Sequence, residues 1–166
     1  MILIICTNEH ARPVDLLGEY TLFLGQHTGK IKQSNRLPLP KDFYELIPDG
    51  VYVTQGFDRN VLVLPKRTFD HLYQHIASLN IADPQARLLF RMFFGTANHM
   101  EIGVDGTLSI PKRLVQFADL TTNVVWVGQG DYFELWSADH WEQQTIQLKD
   151  FQANAQRFSA FTIATR

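Results

Sequence analysis

The feature that most constrains this chain is that it contains the same order of elements twice. Val124 to Trp136 read VVWVGQGDYFELW, two runs of β-branched and aromatic residues around a Gly128-Gln129-Gly130-Asp131 turn. That pattern predicts a tight hairpin with both strands buried. Val51 to Leu64 read VYVTQGFDRNVLVL, again a strand, a Gln-Gly turn and a strand. The echo extends outward: Leu39-Pro40-Lys41 precedes the first hairpin and Ile110-Pro111-Lys112 the second, while Phe69 and Trp141 follow at equivalent places. A fixed order of elements repeated at about seventy residues is an internal duplication. It predicts a mixed α+β fold in which two halves interlock around their hairpins, since neither half alone buries enough apolar surface.

The flanking segments fill in the repeat. Leu24 to Pro40 predict two short strands around a Gln33-Ser34-Asn35 turn, with Pro38 and Pro40 confining the second strand to an edge. Lys41 to Ile47 offer a helical turn or two. Phe69, Leu72, Tyr73 and Ile76 keep the i, i+3, i+4, i+7 spacing of an amphipathic helix. Asp83-Pro84 is a helix start, with Asp at the N-cap and Pro at the first helical position. Ala86, Leu89, Phe90 and Phe93 give that helix its buried stripe, and Gly95 its stop. In the second half, Met100 to Val104 and Leu108 to Ile110 bracket an Asp105-Gly106 turn and predict a hairpin. Leu114, Phe117 and Ala118 give a short helical face, and Ser137 caps a helix carrying Trp141, Thr145 and Leu148. After Asp150 the periodicity weakens, and a frayed tail is expected. Residues 1–22 have no counterpart in the second half. An edge strand, a loose arm and a wrongly assigned start codon all remain open for them.

Composition excludes more than it selects. The net charge of −2 makes any nucleic-acid site a local patch rather than a property of the whole chain. Charged residues are 19% and aromatic residues 12%, a surplus of apolar surface that points toward self-association. The same expectation follows from Phe90, Met92, Phe93 and Phe94, which put apolar groups on more than one face of their helix. The aromatic residues Trp126, Tyr132, Phe133 and Trp136 read as core or subunit interface rather than as a base-stacking platform. One cysteine, Cys6, leaves no internal disulfide framework and no cysteine-based zinc site within one chain. The apolar start, Met1 to Cys6, is too short for a secretory or membrane-spanning segment, so a cytoplasmic protein without membrane contact is expected.

The local patch is easy to find. Lys30, Lys32, Arg36 and Lys41 occur with no acid between Gln26 and Lys41. Cations on a turn form a surface that phosphates approach, and an arginine fork can make paired hydrogen bonds to guanine or phosphate. A solvated hairpin kept basic for solubility fits the same residues. Other chemistry lacks its parts. His71 and His75 are one helical turn apart, but Leu72 stands where a zinc protease needs Glu and no third ligand can be named. There is no Gly-Lys-Ser/Thr phosphate loop and no Gly-x-Ser-x-Gly elbow. No catalysis, cofactor, metal or small-molecule substrate is expected.

Arg36-Leu-Pro-Leu-Pro40, Leu108-Ser-Ile-Pro111, Val127-Gly-Gln-Gly-Asp131, Phe133-Glu-Leu-Trp-Ser137 and the Asp83 to Leu89 helix start together resemble the MraZ family of bacterial regulators. That family is built from two tandem SpoVT–AbrB half-domains. The resemblance covers roughly residues 24–148. It implies two swapped-hairpin half-domains around a pseudo-twofold β-barrel core with flanking helices. The half-domains would span 24–82 and 96–149, with a linking helix at 83–95 and a tail at 150–166. It also implies sequence-specific binding to double-stranded promoter DNA by a ring-like homo-oligomer associated with the nucleoid. The contacts would come from Lys30, Lys32, Asn35, Arg36, Lys41, Lys112 and Arg113. The family's loop motif, Asp-x-x-Gly-Arg, is incomplete. In the first loop Lys32 holds the Asp place, Asn35 the Gly place, and Arg36 remains. In the second, Gly103 holds the Asp place, Gly106 remains, and Thr107 replaces the Arg. A short hydroxyl cannot replace an arginine fork, so the second loop is expected to add little. These losses keep an alternative open, an assembly module of the same fold that no longer binds an operator.

Overall fold

The computed structural model describes residues 22–161, and the expectations for residues 1–21 lie outside it. Both signature segments are hairpins. β3 (Val51–Gln55) pairs antiparallel with β4 (Val61–Pro65), and β7 (Asn123–Gly128) with β8 (Phe133–Ser137). The two hairpins then join through β4 and β8, in the register Val61↔Leu135 and Val63↔Phe133. The flanking strands cross over. β1 (Gln26–Lys30) lies along β7 of the other half, and β5 (Asn98–Met100) along β3. The result is a six-stranded antiparallel sheet in the order β1-β7-β8-β4-β3-β5. Two further short strands, β2 (Arg36–Pro38) and β6 (Thr107–Ser109), form a separate ribbon.

Packing on both faces of the sheet explains the unbroken apolar runs in the sequence, since a strand covered on both sides has no polar face. One face carries the main core. Val53, Val63, Trp126, Phe133 and Leu135 meet Leu37 and Leu108 of the ribbon there. Phe43 of α1 (Lys41–Tyr44) and Leu114 of α4 (Lys112–Phe117) complete that layer. On the other face, α2 (Lys66–Ala77) and α3 (Pro84–Phe93) cover Leu62 and Leu64 with Ile76 and Phe93. Trp141 of α5 (Ala138–Lys149) packs on Val125, Val127 and Trp136. Both caps read from the sequence are formed. Asp83 Oδ1 accepts the Gln85 N–H at 2.8 Å, and Ser137 Oγ accepts the His140 N–H at 3.3 Å.

Three expectations need correction. The strands on either side of Gln33–Asn35 do not pair with each other, and neither do those around Asp105-Gly106; each finds its partner in the other half. Local turn chemistry bends the chain at both places, but the ladders go where Leu37 and Leu108 can be fully buried. The sheet does not close into a barrel, because β1 and β5 end it as unpaired edges among the described residues. The tail does not simply fray: α6 (Phe151–Arg157) follows α5 directly. Asp150, at φ −80° and ψ 80°, breaks the first helix and caps the second by accepting the Ala153 N–H at 3.1 Å. Its apolar residues have no partner face, which is why periodicity did not mark it. On α3, Phe93 is buried, while Phe90, Met92 and Phe94 are half-buried against the cluster around Leu62. Tyr73, Leu79, Ile81 and Leu88 are exposed near that helix.

Glu134, half-buried in β8, accepts hydrogen bonds from Trp136 Nε1 at 2.9 Å and Gln129 Nε2 at 3.3 Å. Burial raises its pKa above the ordinary carboxylate value despite these donors. A raised acid pKa means the folded state favours the neutral form. The penalty is therefore absent in acid and grows as pH rises through the ordinary value toward the folded one. Glu134→Gln is expected to raise the melting temperature at neutral pH by no more than about 2 °C, since solvent screens a site this open. The gain should vanish near pH 4, which paired thermal melts at the two pH values will check.

Candidate nucleic-acid interface

The site is built on the ribbon. Arg36 faces Ser109, Leu37 faces Leu108, and Pro38 faces Thr107. Leu37 and Leu108, fully buried, anchor the ribbon to the core, and Arg36 and Ser109 stay exposed. The turn before each strand has the same construction. The Lys32 N–H donates to the Arg36 carbonyl at 2.7 Å, and the Gly103 N–H to the Thr107 carbonyl at 2.8 Å. The two turns are then stitched reciprocally: the Ile110 N–H donates to the Asn35 carbonyl, and the Leu39 N–H to the Gly106 carbonyl, both at 3.0 Å. Asn35 and Gly106 both have positive φ, 56° and 69°. The left-handed region costs a non-glycine residue about 1–2 kcal/mol, least for asparagine. Asn35 thus meets the backbone demand that Gly106 meets in the other loop.

The expected contact residues lie around this ribbon. Lys30 ends β1, and Lys32 enters the turn; both are exposed. Lys41 and Lys112 begin α1 and α4, each separated from its ribbon strand only by Leu39-Pro40 or Ile110-Pro111. Lys30 and Lys41 line one open groove together with Pro38, Asn123 and Trp126. Lys41 also reaches Glu45 at 3.7 Å, an exposed pair that contributes little. Arg113 is exposed beside Lys112 on the first turn of α4.

Arg36 is not the unopposed cation that its own stretch of sequence predicts. Its Nη2 donates to Asp105 Oδ2 at 2.7 Å and to Thr107 Oγ1 at 2.9 Å, both from the second loop. Thr107 Oγ1 in turn donates to Asp105 Oδ1 at 2.7 Å. The Thr107 hydroxyl, and then the Arg36 charge, hold the Asp105 carboxyl below the ordinary carboxylate range, with desolvation opposing them. Thr107 is therefore not an idle replacement. It is buried and ties the acid to the arginine, so an arginine introduced at 107 would crowd Arg36. Sequence reasoning missed this pairing, although the duplication held a clue. Positions 36 and 107 are equivalent in the two halves, and the pairing of their two strands makes them neighbours.

His71 and His75 sit on the exposed side of α2 with ring centroids 4.5 Å apart. Among the described residues, no group of three or more His, Cys, Asp or Glu side chains could hold a metal ion, and no helix is long and apolar enough to cross a membrane.

Comparison with known proteins identifies the family. Residues 93–162 match the model of the family described as MraZ protein. The chain is 33% identical over 138 residues to "Transcriptional regulator MraZ" of Roseiflexus castenholzii, covering 83% of this chain and 94% of that protein. It is 32% identical over 143 residues to the protein of the same name from Herpetosiphon aurantiacus, covering 86% of this chain and all of its relative. A more distant relative of that name, from Clostridium tetani, is 26% identical over 142 residues. Identity at this level over most of this chain and nearly the full length of such relatives shows that the chain belongs to the MraZ family.

Proposed function

We propose that this protein is a sequence-specific, DNA-binding transcriptional regulator, acting on promoter duplex through the two loops that meet at the ribbon. The observation that carries the reading is that the ribbon takes one strand from each half, bears Arg36, follows Lys30 and Lys32, and leads within two residues into Lys41 on one strand and into Lys112 and Arg113 on the other. Cations drawn from two distant stretches of sequence thus surround one small ribbon. Phosphate contacts would come from the lysines and Arg113, and Asn35 would shape the turn that presents Arg36. The relatives' name, transcriptional regulator, supports the same assignment. The crossed pairing of β1 with β7 and β5 with β3 supports two swapped half-domains related by a pseudo-twofold axis, 24–82 and 96–149 around the 83–95 helix. Leu79, Ile81 and Leu88 offer apolar surface for a homo-oligomer, a ring in which weak contacts add by avidity. Such a protein works in the cytoplasm, at the nucleoid, without cofactor or catalysis.

One observation favours a second reading, an assembly module that has lost its operator: the arginine of the first loop is paired to an acid of the second. A salt-titrated binding assay against the protein's own upstream DNA separates the two. Arg36→Ala is expected to weaken binding by about 1–3 kcal/mol and to flatten sequence preference. Binding that is absent at every salt concentration, in the wild type as in the variant, decides for the assembly module.

A further inference from the structure

We infer that Asp105 and Thr107 form an acceptor site that competes with DNA for Arg36, which makes Asp105 the residue that sets the affinity of each protomer. This rests on the DNA-binding reading above and goes beyond it, because it assigns a role to a loop whose arginine is missing.

The argument is stereochemical. A guanidinium has five N–H donors, and its two forked edges, Nε with Nη2 and Nη1 with Nη2, both use Nη2. Nη2 of Arg36 has two hydrogens, and the structure gives it two acceptors, Asp105 Oδ2 at 2.7 Å and Thr107 Oγ1 at 2.9 Å. Neither fork is free while both bonds stand. A lone phosphate oxygen can still be met by Nη1. Paired acceptors, such as O6 and N7 of guanine, require Nη2 to let go of at least one partner. The competing acid is itself held in place, since Thr107 Oγ1 donates to its second oxygen, Oδ1. The pair is also displaceable: the Arg36 and Asp105 side chains are 48% and 50% exposed, and an ion pair that open is weak. Engagement of DNA is thus an exchange of one anion for another. Each protomer binds less tightly than its cations alone would dictate, and that shifts the work of tight binding onto several protomers acting together.

The test uses the full chain and two duplexes of equal length, the upstream DNA and a scrambled sequence, each titrated with salt. Asp105→Ala is expected to tighten binding to the upstream duplex on the order of ten-fold, and to the scrambled duplex by no more than that. Its log affinity should fall more steeply with log salt, by about 0.9 for the one extra phosphate or base-edge cation set free. In an Arg36→Ala background the same change should gain less than about two-fold, since no arginine is left to release. Asp105→Asn, which keeps the shape of the turn, should give the same direction, and thermal melts confirm that each variant is folded. An equal gain in both backgrounds overturns the proposal in favour of simple charge removal and leaves the DNA-binding reading intact. A loss of affinity on Asp105→Ala overturns it too, by making the acid a support that orients Arg36. Absence of DNA binding by every variant removes the DNA-binding reading and this proposal with it.

Discussion

Phe133→Ala is expected to destabilise the protein by about 3–5 kcal/mol, the range for deleting a large aromatic side chain from a closed core. Phe133 is fully buried at the start of β8. Its ring centroid lies 4.9 Å from those of Phe23 and Phe43 and 5.5 Å from that of Trp126. Its backbone sits between Val63 of β4 and Gly128 of β7. The side chain is therefore where the first half, through Phe43 and Val63, meets the second, through Trp126. The cavity left behind cannot collapse easily, because its walls belong to strands fixed on both sides by ladders. Denaturant unfolding should show a lower midpoint with an unchanged slope. A loss below about 1.5 kcal/mol would mean the aromatic cluster repacks, and that it does not hold the halves together.

The second large effect is expected at a glycine. A Cβ on Gly128 would run into the backbone of Phe23 and Leu24, which crosses over the end of the hairpin. That crossing is bonded on both sides: the Gly128 N–H donates to the Gly25 carbonyl at 2.9 Å, and Phe23 and Gly130 exchange bonds of 2.8 and 3.0 Å. Gly128→Ala must lift the 23–25 segment, losing these bonds and withdrawing Phe23 from a site where it is 4% exposed. Overpacking and lost burial together should cost about 3–5 kcal/mol. Gly130→Ala provides the contrast. Its φ of 82° makes alanine strained, but nothing lies near the added atom, so the cost is the backbone strain alone, about 1–2 kcal/mol. Thermal melts should rank Gly128→Ala well below Gly130→Ala. The opposite order would mean that the 23–25 segment is not clamped there.

The legible part of this chain was what neighbours in sequence decide. The repeat marked both hairpins, periodicity marked α2 and α3, and Asp83 and Ser137 marked the starts of α3 and α5, because each signal is read over a few residues. The partnerships between distant segments were hidden. Gln33–Asn35 and Asp105-Gly106 are real turns, yet the strands beside them pair elsewhere, since register between remote elements is decided by which arrangement buries Leu37 and Leu108. The candidate site divided along the same line. Arg36 and its lysines stood out as a basic run, whereas Asp105, which neutralises the arginine, belongs to a stretch that looks balanced in charge by itself. α6 escaped notice for another reason: its start depends on the conformation of one residue, Asp150, and on no buried face.

The crossed strands also set a timetable. β1 leaves the ribosome early, but its ladder partner is β7, with Gln26 opposite Val127 and Lys30 opposite Asn123. The first hairpin waits in the same way for β5, since Val53 lies opposite Asn98. Closing such long loops costs entropy before any strand pairing repays it, which makes folding slow compared with a chain of local contacts. The first half therefore emerges with its edges unsatisfied, and the sheet becomes one cooperative unit only when almost the whole chain has been synthesised.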